Sequence, residues 1–341
     1  MCELGIRYAK GSGLPKNMTE AVKWFRRSAE AGCAKGMCVL GELYEKGKDV
    51  KQDYAEAERW YRAAADGGNT AAMTNLAMMY REGRGVKQDY EQAAAWNEKA
   101  AQAGNTYAMC NLGTALWMGQ GAPQDLAGAM AWFRKAAEGG NTRGMMKLGL
   151  MYSRGAGVPR DYVEAVRWFK MAADAGDLEG CCALGGMYLS GEGITQDFAQ
   201  AVRLYREAAD GGSATGMSLL AGCYSDGLGV TKDYRQAVAW DQKSADAGSP
   251  IGMAALGRAY EQGLGVPQDY TQAIALYRKS AQAGGELGML GLGQAYERGR
   301  GVPKDLAEAV KWYKKAADAG NDVARAALKR LAASQPASQP E

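Results

Sequence analysis

Nine short polar side chains recur along this chain at one fixed spacing: Asn17, Asp53, Asp89, Asp125, Asp161, Asp197, Asp233, Asp269 and Asp305. An array of carboxylates could bind cations or do acid–base work. Turns such as Gly155-Ala156-Gly157 could cradle a phosphate. The context decides against both. Each Asp or Asn stands three residues before Glu20, Glu56, Gln92, Gly128, Glu164, Gln200, Gln236, Gln272 or Glu308, which in eight cases is the pattern of a capping box at a helix start. The glycine turns join two helical patterns and follow no strand, and Lys46-Gly47-Lys48 lacks the spacing and the Ser/Thr of a P-loop. The chain has no histidine, which removes the usual general base and the commonest zinc ligand. Seven cysteines (Cys2, Cys33, Cys38, Cys110, Cys181, Cys182, Cys223) show no CxxC spacing. They read as reduced packing thiols, which mildly favours a reducing compartment. No cofactor, metal or catalytic residue is expected.

Composition excludes other classes. The 341 residues are 47% hydrophobic and 23% charged, as in folding, soluble proteins. The 41 basic and 38 acidic residues give a net charge of +3 and are mixed along the length. There is therefore no basic stripe for nucleic acid. No window has the roughly 20 apolar residues of a membrane helix. The opening MCELGIRYAKGSG does not have the pattern of a targeting segment.

The elements that position these residues come from a repeat. Leu4-Gly5 recurs at Leu40, Leu76, Leu112, Leu148, Leu184, Leu220, Leu256 and Leu292, every 36 residues without an insertion. The unit reads L-G-x-x-Y-x-x-G-x-G-V-x-x-D-Y-x-x-A-x-x-W-Y/F-x-x-A-A-x-x-G-N. Gly32 and its eight equivalents suit the left-handed residue that ends a helix, and the Asn, Asp or Ser that often follows suits the N-cap of the next. Each unit is thus helix A, a Gly-x-Gly-Val turn, helix B and a tight turn. A small-residue column beginning at Ala21 and Ala57 lets helices approach. The Tyr column (from Tyr8), the Trp column (from Trp24) and the Met column (from Met37) read as packing. Residues 322–333 form a more polar tenth helix A that serves as a cap, and 334–341, SQPASQPE, read as a disordered tail. Met1 falls inside the first helix A, so either residues precede it or that helix frays.

This signature resembles the Sel-one-like repeat (SLR) family, relatives of the tetratricopeptide repeats. The resemblance covers 1–333 and implies an all-α, right-handed α-solenoid of nine 36-residue helix-turn-helix repeats with a C-terminal capping helix. It implies a bacterial protein that binds another protein or a peptide in a concave groove lined by helix A, and it allows a periplasmic or secreted location.

Function must then lie in what does not repeat. The resemblance places groove positions five and two before, and two, five and six after, the Leu of Leu-Gly. In repeats four and five these hold Tyr107, Cys110, Thr114, Trp117 and Met118, then Arg143, Met146, Leu150, Ser153 and Arg154. Repeat four breaks the pattern with Leu116 in the Tyr column and Trp117 beside it. One reading makes Tyr107, Cys110, Thr114, Trp117, Met118, Met146 and Leu150, flanked by Arg143 and Arg154, a partner-binding patch. The other turns Trp117 into the Tyr slot as a local repacking. The expectation is a monomeric, non-catalytic interaction scaffold, without nucleic acid or membrane insertion. The alternatives are a structural spacer or self-assembling rod and, behind it, a small-molecule-binding or hydrolytic repeat protein.

Overall fold

The computed structural model describes residues 1–333; the expected tail at 334–341 lies outside them. Among the described residues there are helices and no strands. In chain order these are α1 (Cys2–Lys10), α2 (Met18–Glu30), α3 (Ala34–Lys46), α4 (Tyr54–Asp66), α5 (Thr70–Glu82), α6 (Tyr90–Gln102), α7 (Thr106–Met118), α8 (Leu126–Glu138), α9 (Thr142–Arg154) and α10 (Tyr162–Asp174). They continue with α11 (Leu178–Ser190), α12 (Phe198–Asp210), α13 (Ala214–Asp226), α14 (Tyr234–Asp246), α15 (Pro250–Gln262), α16 (Tyr270–Gln282), α17 (Glu286–Arg298), α18 (Leu306–Asp318) and α19 (Asp322–Ala333). Odd numbers are A helices and even numbers B helices, as the repeat predicts. The chain divides into two compact units, Met1–Trp168 and Phe169–Glu341. Within each, successive helices pack on one another, and in the second the A helices α11, α13, α15 and α17 also touch their neighbours.

The helix ends follow the expected chemistry with one correction. All nine Asn or Asp side chains accept the N–H three residues on, as Asp89 does from Gln92 at 2.9 Å and Asp125 from Gly128 at 2.9 Å. The capping box is only half made, however. The N–H of each capping residue donates to the carbonyl of the Tyr column in helix A, as Asp89 does to Tyr80 and Asp125 to Leu116. With that N–H occupied, the Glu or Gln has no reciprocal bond to make, so Gly128 forfeits nothing. Glu20, Glu56, Glu164 and Glu308 instead pair with Lys or Arg one turn on.

The Leu column is buried from Leu40 onward, and the Ala column is at most 4% exposed. The fully buried rings belong to a third column, one residue after the Trp: Phe25, Tyr61, Phe133, Phe169, Tyr205, Tyr277 and Tyr313. Six of these lie against the glycine of Leu-Gly in their own repeat. A methyl group on Gly5, Gly41, Gly113, Gly185, Gly257 or Gly293 would stand only 2.5–2.8 Å from ring carbons. The glycine lets a B-helix ring rest on the A-helix backbone, and each ring so buried contributes roughly 1.5–3 kcal/mol. The Trp column is half-buried in most repeats. A cation from the same helix covers its outer face, as Lys99 does at 4.2 Å from the Trp96 ring and Lys135 at 4.3 Å from Trp132.

One turn departs from the glycine rule. Asp49 holds φ 64° where most repeats have the second glycine of Gly-x-Gly. Replacing it as Asp49→Gly is expected to raise the urea midpoint by the equivalent of about 1 kcal/mol or less, because a non-glycine residue in the left-handed region is strained. Gly41→Ala, which drives a methyl into Tyr61, is expected to lower it by about 1–3 kcal/mol.

Candidate functional site

The buried ring column dictates what can sit above it. In repeats two, eight and nine the ring is a tyrosine, and the residue five after the Leu is a glutamate that accepts a hydrogen bond from its hydroxyl. Tyr61 donates to Glu45 at 2.6 Å, Tyr277 to Glu261 at 2.8 Å and Tyr313 to Glu297 at 2.6 Å. An arginine from the following turn or helix completes each trio: Arg84 on Glu45, Arg300 on Glu261 at 3.2 Å and Arg330 on Glu297 at 2.7 Å. Repeat four has Phe133, which offers no hydroxyl. Trp117 occupies the glutamate's position and meets Phe133 edge-on, with centroids 5.9 Å apart and planes at 69°. A Trp in that position is therefore matched to the ring beneath it.

Leu116 is matched in the same way. In repeats two, three, five and seven the Tyr-column hydroxyl accepts from an arginine of the preceding B helix: Arg26 to Tyr44 at 2.9 Å, Arg62 to Tyr80 at 2.6 Å, Arg134 to Tyr152 at 3.1 Å and Arg206 to Tyr224 at 2.6 Å. Ahead of repeat four that position holds Glu98, which brings no guanidinium, and Leu116 has no hydroxyl to offer. Leu116 stays in the Tyr slot, its Cδ1 lying 3.4 Å from where a side chain on Gly128 would begin. Trp117 does not displace it.

The predicted patch is consequently divided. Tyr107 is 62% exposed and Met118 61% exposed. Tyr107 and Arg143 line a hollow of about 330 Å³ with Met78 and Glu42, whereas Thr114 and Met118 line a second one of about 450 Å³ with Asn97. Trp117 is half-buried, with the Lys147 ammonium 5.5 Å from its ring centroid. Met146 and Leu150 are half-buried and Arg154 is exposed; none of the three lines either hollow. Cys110 is fully buried and offers nothing to a surface. Burial likewise pushes the thiols of Cys38 up to about 12 and of Cys182 up to about 11, which keeps them protonated and inert.

A second surface, absent from the expected site, lies in repeats seven to nine. It is a hollow of about 300 Å³ lined by groove-column residues of three A helices, among them Ser218, Ile251, Arg258, Leu287 and Arg298. Ile251 and Leu287, one repeat apart, are 54% and 43% exposed. Asp241, one of two exceptions in the ring column, also lines it. Asn97 and Asp241 stand where the other repeats have a ring, and Ala77 and Ala221 stand where the others have glycine. Ring and glycine are lost together, because without the ring a methyl group fits.

A hollow lies beside each of the two. The hollow beside Asn97 recurs four repeats on beside Asp241, with a volume of about 230 Å³ and nearly the same positions lining it. Asn111 becomes Ala255, Thr114 becomes Arg258 and Met118 becomes Gln262. Asp241 is 7% exposed, and burial pushes its carboxyl up to about 7, with the Arg258 charge opposing the rise.

Helix pairs joined by glycine turns, with a buried ring in seven of the nine repeats, define an α-helical repeat protein. A model of the Sel1 repeat matches nine consecutive segments, residues 1–33, 34–69, 70–105, 106–141, 142–177, 178–213, 214–249, 250–285 and 287–321. The chain belongs to the Sel1 repeat family. Among solved structures it is similar to a protective antigen of uropathogenic Escherichia coli strains displaying an SLR fold, at 38% identity and TM-score 0.66, over 91% of this chain and 67% of that one. It is also similar to a Sel1 repeat protein from Oxalobacter formigenes, at 34% identity and TM-score 0.65, over 91% of this chain and 90% of that one. Yeast Tom70, at 16% identity and TM-score 0.52 over 93% of this chain and 60% of that one, shares the fold alone. No curated protein matches the chain in sequence. Among the described residues no helix is long and apolar enough to cross a membrane.

Two measurements check this account of the site. Phe133→Tyr and Trp117→Glu are each expected to destabilise, the first by burying a hydroxyl without an acceptor and the second by burying a carboxylate without a donor. The double variant recreates the pair seen in repeat two, so a double-mutant cycle should give a favourable coupling of about 1 kcal/mol or more. For Asp241 the raised folded-state pKa means that the native protein holds its proton more tightly than the unfolded chain. Wild-type stability should therefore fall as pH rises from about 4 to about 7. Asp241→Asn should remove that slope and be more stable at pH 8, by an amount on the order of a few kcal/mol.

Proposed function

We propose that this chain is a non-catalytic scaffold that binds a peptide or a partner protein along its A-helix face. Proteins built from such repeats generally mediate protein–protein interactions. The observation that carries the reading is where the repeat pattern fails. The A-helix positions that pack inward keep their residue types, whereas the outward columns change from repeat to repeat and include the exposed apolar residues Tyr107, Met118, Ile251 and Leu287. Arginines lie beside them: Arg143 shares a hollow with Tyr107, and Arg258 and Arg298 share one with Ile251 and Leu287. Apolar anchors with neighbouring arginines and half-open hollows are how interfaces concentrate their affinity.

A catalytic reading has little to use. The chain has no histidine. Among the described residues no three Cys, Asp or Glu side chains gather to hold a metal, and the recurrent aspartates are occupied as helix caps.

Peptides selected on the full chain from a random library supply the test. They are expected to lose at least tenfold in affinity on Tyr107→Ala/Arg143→Ala, or on Ile251→Ala/Leu287→Ala, and to be indifferent to Val163→Ala, an exposed B-helix control. Selected peptides that bind all of these variants equally would remove the A-helix face from the proposal.

A further inference from the structure

The cavity beside Asp241 has a chemistry that its counterpart beside Asn97 lacks. In repeat three the Asn97 side-chain oxygen is offered the Nδ2 of Asn111 at 3.5 Å. The equivalent of Asn111 is Ala255, which has no donor to give. Asp241 Oδ1 is consequently buried without a hydrogen bond from the protein, on a side chain only 7% exposed. A buried carboxylate oxygen left open in this way costs free energy unless something supplies a donor. Asp241 lines both adjoining hollows, and Ser225 and Gln262 line both with it.

We infer that this cavity is a binding site for a primary alkylammonium group, of the kind carried by a lysine side chain, with Asp241 as its counter-ion. An ammonium presents three N–H donors, and three residues that line both hollows carry acceptors to meet them: the Asp241 carboxylate, the Ser225 hydroxyl and the Gln262 amide oxygen. Asp226, exposed at the same hollow, adds a second negative charge on the approach. The larger hollow supplies apolar surface at Ile251 and Leu287 for an aliphatic stem. Arginines also line the hollows, Arg258 both of them and Arg298 and Arg300 the larger one. Arg300 is taken up by Glu261, and Arg258 is exposed and acts on Asp241 by its charge, with no ion pair between the two among the described residues. The ammonium site does not require the scaffold reading. The step to a lysine on a bound polypeptide does rest on that reading.

Binding should depend on pH in a defined way. The charged and titratable groups lining the two hollows around Asp241 are Asp226 from α13, Tyr234 on its own helix, Arg258 and Glu261 from α15, Tyr277 from α16, Arg298 from α17 and Arg300 just beyond it. Glu261 is already held by Tyr277 and Arg300. Asp241, with its carboxyl near 7, changes charge between pH 6 and pH 8. Ionising it over that interval should strengthen ammonium binding by about tenfold.

The test uses the full chain and three probes: n-butylammonium, Nα-acetyl-lysine N-methylamide and Nα-acetyl-norleucine N-methylamide, followed by amide chemical-shift titration. Both amines are expected to give saturable shifts around Asp241 and Ala255, stronger at pH 8 than at pH 6, and norleucine none. Asp241→Asn should weaken them at least tenfold, with an unchanged helical spectrum confirming the fold. Ala255→Asn, which offers Asp241 a donor as Asn111 does for Asn97, should also weaken them. Tyr107→Ala/Arg143→Ala should leave amine binding intact even if it abolishes peptide binding. If only the lysine derivative binds, the ammonium site stands and its source is a polypeptide. Norleucine binding as well as lysine, wild type binding neither amine, or Asp241→Asn binding as wild type does would each overturn the inference.

Discussion

The structure depends on one close contact repeated along the chain: an aromatic ring from helix B lying on the bare backbone of a glycine in helix A. The contact demands both partners, since a methyl group at the glycine would come within 2.8 Å or less of the ring. The remaining columns are set by it. In repeats two, eight and nine the ring's hydroxyl is met by a glutamate one turn above, and that glutamate by an arginine from the next turn or helix; in repeat six Tyr205 has Leu189 in that position instead. Where the hydroxyl is missing, Trp117 covers Phe133 instead. Packing and polar satisfaction thus advance together, repeat by repeat, and this is what lets a chain of two-helix units hold together.

Much of the architecture was legible in the residues alone because a fixed period makes each column a repeated experiment. The helix ends could be read from Asp53 and Gly68 and their equivalents, and the turn from Gly83-Arg84-Gly85. The reciprocal half of the capping box was misread, because the sequence does not show that the Asp89 N–H reaches back to the Tyr80 carbonyl. The break at Leu116 and Trp117 leaves two readings in the sequence, a binding patch or a local repacking, and neither names the residues it packs with. Its partners, Glu98 and Phe133, lie 18 and 16 residues away, and only the packing shows that they change together.

The site obeys the same logic. Tyr107, Met118 and Arg143 are exposed on the A-helix face as the column positions imply, while Cys110, from an equally plausible column, is buried. The hollows of repeats three and seven were missed. Their signal was present as Asn97 with Ala77 and Asp241 with Ala221, two departures that look conservative when read singly. Read as a pair across helices, they mark where the ring has been removed and space left behind. Fold stability and ligand-facing chemistry therefore sit on the same columns. The protein acquires a polar hollow by giving up one ring, at the cost of a buried carboxylate.

The most direct test of this account is the thermal stability, at pH 8, of Ala221→Gly, Asp241→Tyr and the double variant. If ring and glycine form one unit, Asp241→Tyr alone should be destabilised by collision with the Ala221 methyl. The double variant should then melt above wild type, with a coupling of about 1 kcal/mol or more. Strictly additive effects, or a double variant that melts below wild type, would contradict the claim that the ring-on-glycine contact organises the fold and that its loss makes the site.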